Sequence, residues 1–366
     1  MLGVVVPGNG TLDSRPSLGG TRPQLNGTVR LNGSSTVRGL NIASSTVTGL
    51  SGGAVTGVNV SEASVTSTTG TAVSLSGTGG TVSLTAVSAN GTVHGIALNN
   101  TTGSFTVTGT GGNCSIADTT CTGGTIQNTT GSGIQLSSAA NVSLTRMRIR
   151  SSGVHGINGS SGVSGLTLNS SLLDANGNGD NEHGVNLVNA SGTFLIDATT
   201  FNGAAEDLVH IDNTNTTLAL TVQNGSHFEY PNPKGSAFAN SAILLRPFSN
   251  SPLTVSIQGA TFKNIVNNSL LMGGDATTAG TRSVTFSNNT VTVDAALNQS
   301  CSVNPECRIG GVVTSARNTS TTNFVATGNT FTRASGAGVI ELGSNETATL
   351  RARVETNNIS NSLGDG

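Results

Sequence analysis

From about residue 140 onward one frame recurs: an apolar residue, any residue, an apolar residue, four of any kind, then a third apolar residue. Val142/Leu144/Ile149, Leu166/Leu168/Leu173, Phe194/Ile196/Phe201, Val255/Ile257/Phe262, Val284/Phe286/Val291 and Phe324/Ala326/Phe331 fit it. Leu220/Val222/Phe228 fits with one extra residue, and Ala352/Val354/Ile359 fits more loosely. With the middle residue as anchor, successive copies stand 24, 28, 26, 35, 29, 40 and 28 residues apart. The short steps define a unit and the long ones carry insertions. A recurrence of this length marks a stacked architecture, in which no unit buries its apolar face alone.

Within and between these frames the apolar residues alternate with Thr, Ser and Asn, as in Val29-Arg30-Leu31, Val73-Ser74-Leu75, Ile134/Leu136 and Val185/Leu187. Period two means strands, and Gly, Asn and Ser interrupt each stretch before a helix has room to form. The fold class is therefore all-β. Two or three short strands per unit of about 20–30 residues, separated by tight turns, match one rung of a parallel β-helix. A β-sandwich would close after about 100 residues. It would also join its strands by hairpins, and no strong Asn-Gly hairpin separates matched strands here. Composition agrees with a narrow tube: 50 glycines, no Trp, and 9% charged residues in a 366-residue chain. Residues 1–27, with Pro7, Pro16 and Pro23, break the pattern and read as a cap or incomplete edge. The β-helix is expected over 28–366, with loop insertions near 111–122, 229–241 and 295–308.

The same numbers exclude several classes. With 34% hydrophobic residues and a net charge of −2, the chain lacks the signature of disorder. A nucleic-acid partner is not expected without a basic stripe and stacking aromatics. No apolar run is long enough to span a bilayer. Residues 1–10 also lack the regions of a signal peptide, so any export signal is expected to lie outside this chain, which then reads as part of a longer protein.

The phrases Gly123-Gly-Thr-Ile-Gln-Asn-Thr-Thr-Gly-Ser-Gly-Ile134, Asn141-Val-Ser-Leu-Thr145, Asn202-Gly-Ala-Ala-Glu-Asp207 and Val284-Thr-Phe-Ser-Asn-Asn-Thr290 resemble the β-strand-repeat proteins of bacteria. The resemblance covers roughly residues 28–366. It implies a single right-handed parallel β-helix of the broad class that includes pectate-lyase-like enzymes and autotransporter passengers. It also implies an extracellular or cell-surface location, but no particular activity.

The four cysteines form two close pairs, Cys114/Cys121 and Cys301/Cys307, each in a segment that departs from the repeat. Two local disulfides are expected, in keeping with an oxidising compartment. Neither pair has the spacing of a cysteine zinc site, and His94 and His155 add no matching ligand pattern.

Seven of the 18 acidic residues lie between Asp174 and Asp212, with His183 and His210 among them. At one rung per 24–28 residues, Asp180/Glu182 and Glu206/Asp207 fall on neighbouring rungs. Three readings apply. Asp174, Asn176, Asn178, Asp180 and Glu182 present oxygens at alternate positions with a glycine at the sixth, as in a calcium loop, although the twelfth position is Val185 rather than Glu. Paired carboxylates can also cleave a glycosidic bond, and Glu206, Asp207, His210 and Arg148 faintly resemble the motifs of polygalacturonase-like hydrolases. Their order differs, since in that family the paired Asp precede the His and Arg motifs. The third reading pairs outward acids with a row of Arg146, Arg148 and Arg150, and leaves His183 and His210 as polar surface residues. The expectation is an exported structural or adhesin-like module that contacts a host or matrix surface or a polysaccharide. Calcium is its one candidate cofactor, and a polysaccharide lyase or hydrolase is the alternative.

Overall fold

The computed structural model describes residues 22–118, 121–231, 240–295, 310–334 and 339–362. One rung shows the plan. Ile134–Ser137 lies on a first face, Ala140–Thr145 on a second and Arg148–Arg150 on a third. Each pairs in parallel with its counterpart one turn later, in Ile157–Ser161, Ser164–Asn169 and Leu172–Asn176. The first face grows to twelve strands in this way. The other two form a network of twenty-three, joined where Val55–Ser67 and Thr78–Asn90 run across both faces. This is the all-β parallel solenoid that the repeat requires.

The anchor residues fall into one column. Leu144, Leu168, Ile196, Val222, Ile257, Phe286, Ala326 and Val354 are successive partners on the second face. The 35- and 40-residue steps are thus single-rung steps. Their extra residues fall in sequence between Glu229 and Ile243 and between Thr292 and Gly311, that is, between a third-face strand and the next first-face strand. All anchors but Val354 are fully buried, and Val354 and Ile359 are exposed on the last described rung. The third-face column carries stacked rings, with Phe201 and Phe228 4.9 Å apart and Phe228 and Phe262 5.0 Å apart. Where that column narrows to Val291, the second face supplies Phe286; where the second face narrows to Ala326, the third supplies Phe331. Volume is conserved rung by rung, as close packing demands.

The bend from second to third face explains the Asn, Ser and Gly content. Arg146, Ser170, Ala198, Gly225, Gly259, Asn288, Gly328 and Thr356 all have φ between 46° and 73° there. This left-handed conformation turns the chain within one residue and favours Gly and Asn. The next residue points inward and closes a ladder. Its amide donates to the side-chain oxygen of the same position one rung on, from Met147 to Ser171, Ser171 to Thr199, Thr199 to Ser226, Ala260 to Asn289, Asn289 to Asn329 and Asn329 to Asn357. Amides the corner removes from the sheet are satisfied inside the tube.

Gln24–Asn26 already pairs with Asn41–Ser44, so the stack includes residues assigned above to an incomplete edge. Cys114 and Cys121 form the expected disulfide, with a Cα–Cα distance of 5.3 Å, in the loop between Ser104–Val107 and Thr125–Gln127. Cys301 and Cys307 lie outside the described residues.

Candidate functional site

The corner between the third and first faces carries the densest chemistry. The pairing of Val185 with Val209 sets Glu182 over Glu206 and His183 over Asp207, as the rung spacing predicts. Here too a ladder closes the corner. The amide of His183 donates to His155 Nδ1 at 3.0 Å, that of Asp207 to His183 Nδ1 at 3.3 Å, and that of Ser241 to Asp207 Oδ1 at 2.9 Å. Asp207 is completely buried. His210, on the strand Val209–Thr214, turns its Nδ1 to Asp207 Oδ2 at 2.9 Å and its Nε2 to Asp212 Oδ1 at 3.1 Å. The imidazoles stack, with centroids 5.4 Å apart for His155/His183 and 4.2 Å for His183/His210. Arg246, the register partner of Asp212 one rung on, closes over the cluster. Its Nε donates to Asp212 Oδ1 at 2.6 Å, and its guanidinium lies 5.8 Å from the Phe248 ring centre.

Environment pushes the histidines apart. Burial lowers His155 to about 4 and, with the neighbouring imidazoles, carries His183 far below the usual range. Burial also opposes charge on His210, but its hydrogen bonds to Asp207 and Asp212 outweigh that and raise it to about 9. Desolvation and the nearby Asp207 raise the Glu206 carboxyl. The expectation that His183 and His210 are surface residues fails, since they are 3% and 6% exposed. They are drawn inward because a corner amide needs an acceptor and Asp207 needs a donor.

The structure divides the other candidates. Arg148 stands on the third face, where its Nη2 meets Asp174 Oδ2 at 2.7 Å and its Nη1 donates to the Asp118 carbonyl. It is bound there to Asp174, while Glu206, Asp207 and His210 group at the corner. The expected arginine row also breaks up: Arg146 sits at the bend, Arg148 is buried, and Arg150 is half-buried with its Nε 3.9 Å from Asp174. Along the third face Arg150, Asp174, Asn202, Glu229 and Lys263 form one outward column, with Lys263 Nζ 2.8 Å from Glu229.

In the segment 174–182, Asp174 also accepts from Asn202 at 3.0 Å, and Asn176 is buried at the end of its strand, bonded to the Ile149 carbonyl and the Ser152 amide. Glu182 caps the loop by accepting the amides of Asn178 and Gly179 at 2.5 and 2.7 Å. Asp180 is exposed. Asp174, Asn176 and Glu182 are engaged in separate places, and among the described residues the metal-ligand atoms that lie within 4.8 Å of one another are those of His183, Asp207 and His210. Sequence reasoning had placed the acids on neighbouring rungs but had not grouped them with the two histidines and Arg246. The signal was present in the 24-residue offset that carries His183 onto Asp207.

No protein-family model, curated protein or solved structure matches the chain. No helix among the described residues is long and apolar enough to cross a membrane.

Proposed function

We propose that the chain is a structural or adhesin-like module of an exported, bacterial-type cell-surface protein, whose loops and outer faces contact a host or matrix surface or a polysaccharide. The observation that supports this reading is the use made of the acid-rich segment. Asp174 is held on the third face by Arg148, Glu182 and Glu206 cap turns, and Asp207 and Asp212 are tied to His210 and Arg246 at the next corner. Carboxylates spent on internal partners hold a fold; catalysis across a glycosidic bond asks two of them to face one bond. The disulfide fits an oxidising compartment.

The test has two arms. Protease shaving of intact cells should remove the chain, and a chain found protected inside the cell would contradict the location. A reducing-sugar and unsaturated-product screen across acidic polysaccharides should stay at the buffer rate. Turnover lost in Glu206→Gln or Asp207→Asn would replace this reading with a carbohydrate-active one.

A further inference from the structure

We propose that His183, Asp207 and His210 form a binding site for a divalent transition cation of the zinc class. The inference is independent of the surface-module reading. In a tetrahedral site with bonds of about 2.0–2.2 Å, ligand atoms stand roughly 3.3 Å apart. Asp207 Oδ2 lies 3.7 Å from His183 Nδ1 and 2.9 Å from His210 Nδ1, on either side of that value, and all three residues are buried. All three ligand atoms lie within 4.8 Å of one another, so side-chain movements of about an ångström draw them around one ion. The fold holds them rigidly, because His183 and Asp207 are successive members of one corner column and His210 is fixed three residues on by the first-face register.

The atoms around this triangle are arranged as outer partners. Ser241 donates its amide to Asp207 Oδ1, which leaves Oδ2 for the ion. His210 Nε2 faces Asp212 Oδ1 at 3.1 Å, the carboxylate–histidine arrangement that fixes the orientation of a metal-bound imidazole. Arg246 binds both oxygens of Asp212, with its Nη2 also 3.0 Å from His210 Nε2, and holds that carboxylate in place. On metal binding, the proton between His210 Nδ1 and Asp207 leaves to solvent, and the long contact from the Asp207 amide to His183 Nδ1 gives way to a coordinate bond. Two imidazoles and one carboxylate suit zinc, cobalt or nickel; calcium asks for six to eight oxygens. The ion would tie one rung to the next at the corner where both ladders turn.

The probe is the metal alone. The full chain, freed of metal by chelator, is titrated with zinc chloride by calorimetry and with cobalt chloride by visible absorption. The expected result is one ion per chain, the d–d bands of tetrahedral cobalt, and a Tm that rises with zinc and returns on chelation. His183→Ala and Asp207→Asn abolish the cobalt bands, while His227→Ala, on the third face, keeps them. Asp212→Asn weakens affinity by about 10–100-fold, the size of a lost outer partner. Circular dichroism reports whether each variant folds. Should the two buried variants unfold, Asp212→Asn decides, since its side chain is partly exposed and does not touch the ion. Absence of saturable binding by the parent chain overturns the proposal, as does binding undiminished in Asp212→Asn.

Discussion

Asn329→Ala is the substitution whose cost follows most directly from the inner ladder. Asn329 is 1% exposed and makes four side-chain bonds. Its Oδ1 accepts the Asn289 amide at 2.9 Å and the Asn289 side chain at 3.1 Å, and its Nδ2 donates to the Phe286 carbonyl and to Asn357 Oδ1, both at 2.8 Å. Alanine leaves the Asn289 amide and the Phe286 carbonyl buried without these partners, at about 1–3 kcal/mol for each such group. Relaxation of the neighbouring amides recovers part of this, so a loss of about 2–5 kcal/mol is expected. Urea unfolding reads the loss as a lower midpoint at unchanged slope. Hydrogen exchange localises it, since the Asn289 amide should lose protection while the rungs before Val222 keep theirs, as nearest-neighbour stacking requires. Asn323→Ala, half-buried on the outer side of the adjoining strand, is the control and should stay within about 0.5 kcal/mol. The reasoning is refuted if Asn329→Ala behaves like that control or if exchange at Asn289 is unchanged.

Further predictions follow from other particulars. Arg148→Met leaves Asp174 without its closest cation and should destabilise by about 3 kcal/mol in urea, whereas a change below about 1 kcal/mol would show that the pair is idle. Reduction of Cys114–Cys121, which closes a seven-residue separation, should cost about 2 kcal/mol and expose both thiols to alkylation; thiols already reactive without reductant would contradict the bond. Burial alone would raise the Glu229 carboxyl, but Lys263 and His227 outweigh it and hold it below the usual carboxylate range. A depressed folded value means that its contribution is complete above the unfolded value near 4.5 and lost as pH falls through the folded value. Glu229→Gln should therefore weaken the protein at pH 7 and flatten the acid limb of its stability curve, and an unaltered acid limb would count against the pairing. Ala326→Phe should cost about 1–3 kcal/mol by overfilling a rung that already holds Phe331, and Phe331→Val in the same chain should restore part of it; strict additivity would argue against shared volume.

Most of the tube was legible because its interior is periodic. The frame apolar, any, apolar, four any, apolar is two inward residues of the second face, a one-residue left-handed bend, an inward ladder residue, and the inward residue of the third face. Each copy from Val142 to Phe331 occupies these positions. Before residue 140 the frame is hidden for physical reasons. Val55–Ser67 and Thr78–Asn90 cross both faces as continuous strands with shifted register, and the disulfide loop separates Val107 from Thr125. The corner cluster was only half legible. Spacing placed Glu206 and Asp207 on the rung next to Asp180 and Glu182, yet whether a histidine points inward depends on which corner amide lacks an acceptor. Arg246 lies beyond an insertion, so no fixed offset leads from Asp212 to it. The cysteine and calcium patterns were local motifs, whereas His183, Asp207 and His210 meet only through the stack.

The stacking register is the claim on which everything else depends, and spin-label distances test it most directly. Ser143, Thr167, Leu195, Thr221, Ser256 and Thr285 are successive outward partners on the second face. Labels at 143 and 221 are three rungs apart and labels at 143 and 285 are five, about 14 and 24 Å at a strand spacing of 4.7–4.9 Å. The label arms are common to both pairs, so the account predicts two narrow distributions whose centres differ by about 10 Å. Equal distances, a reversed order or one broad distribution would contradict the stack and the corner cluster built upon it.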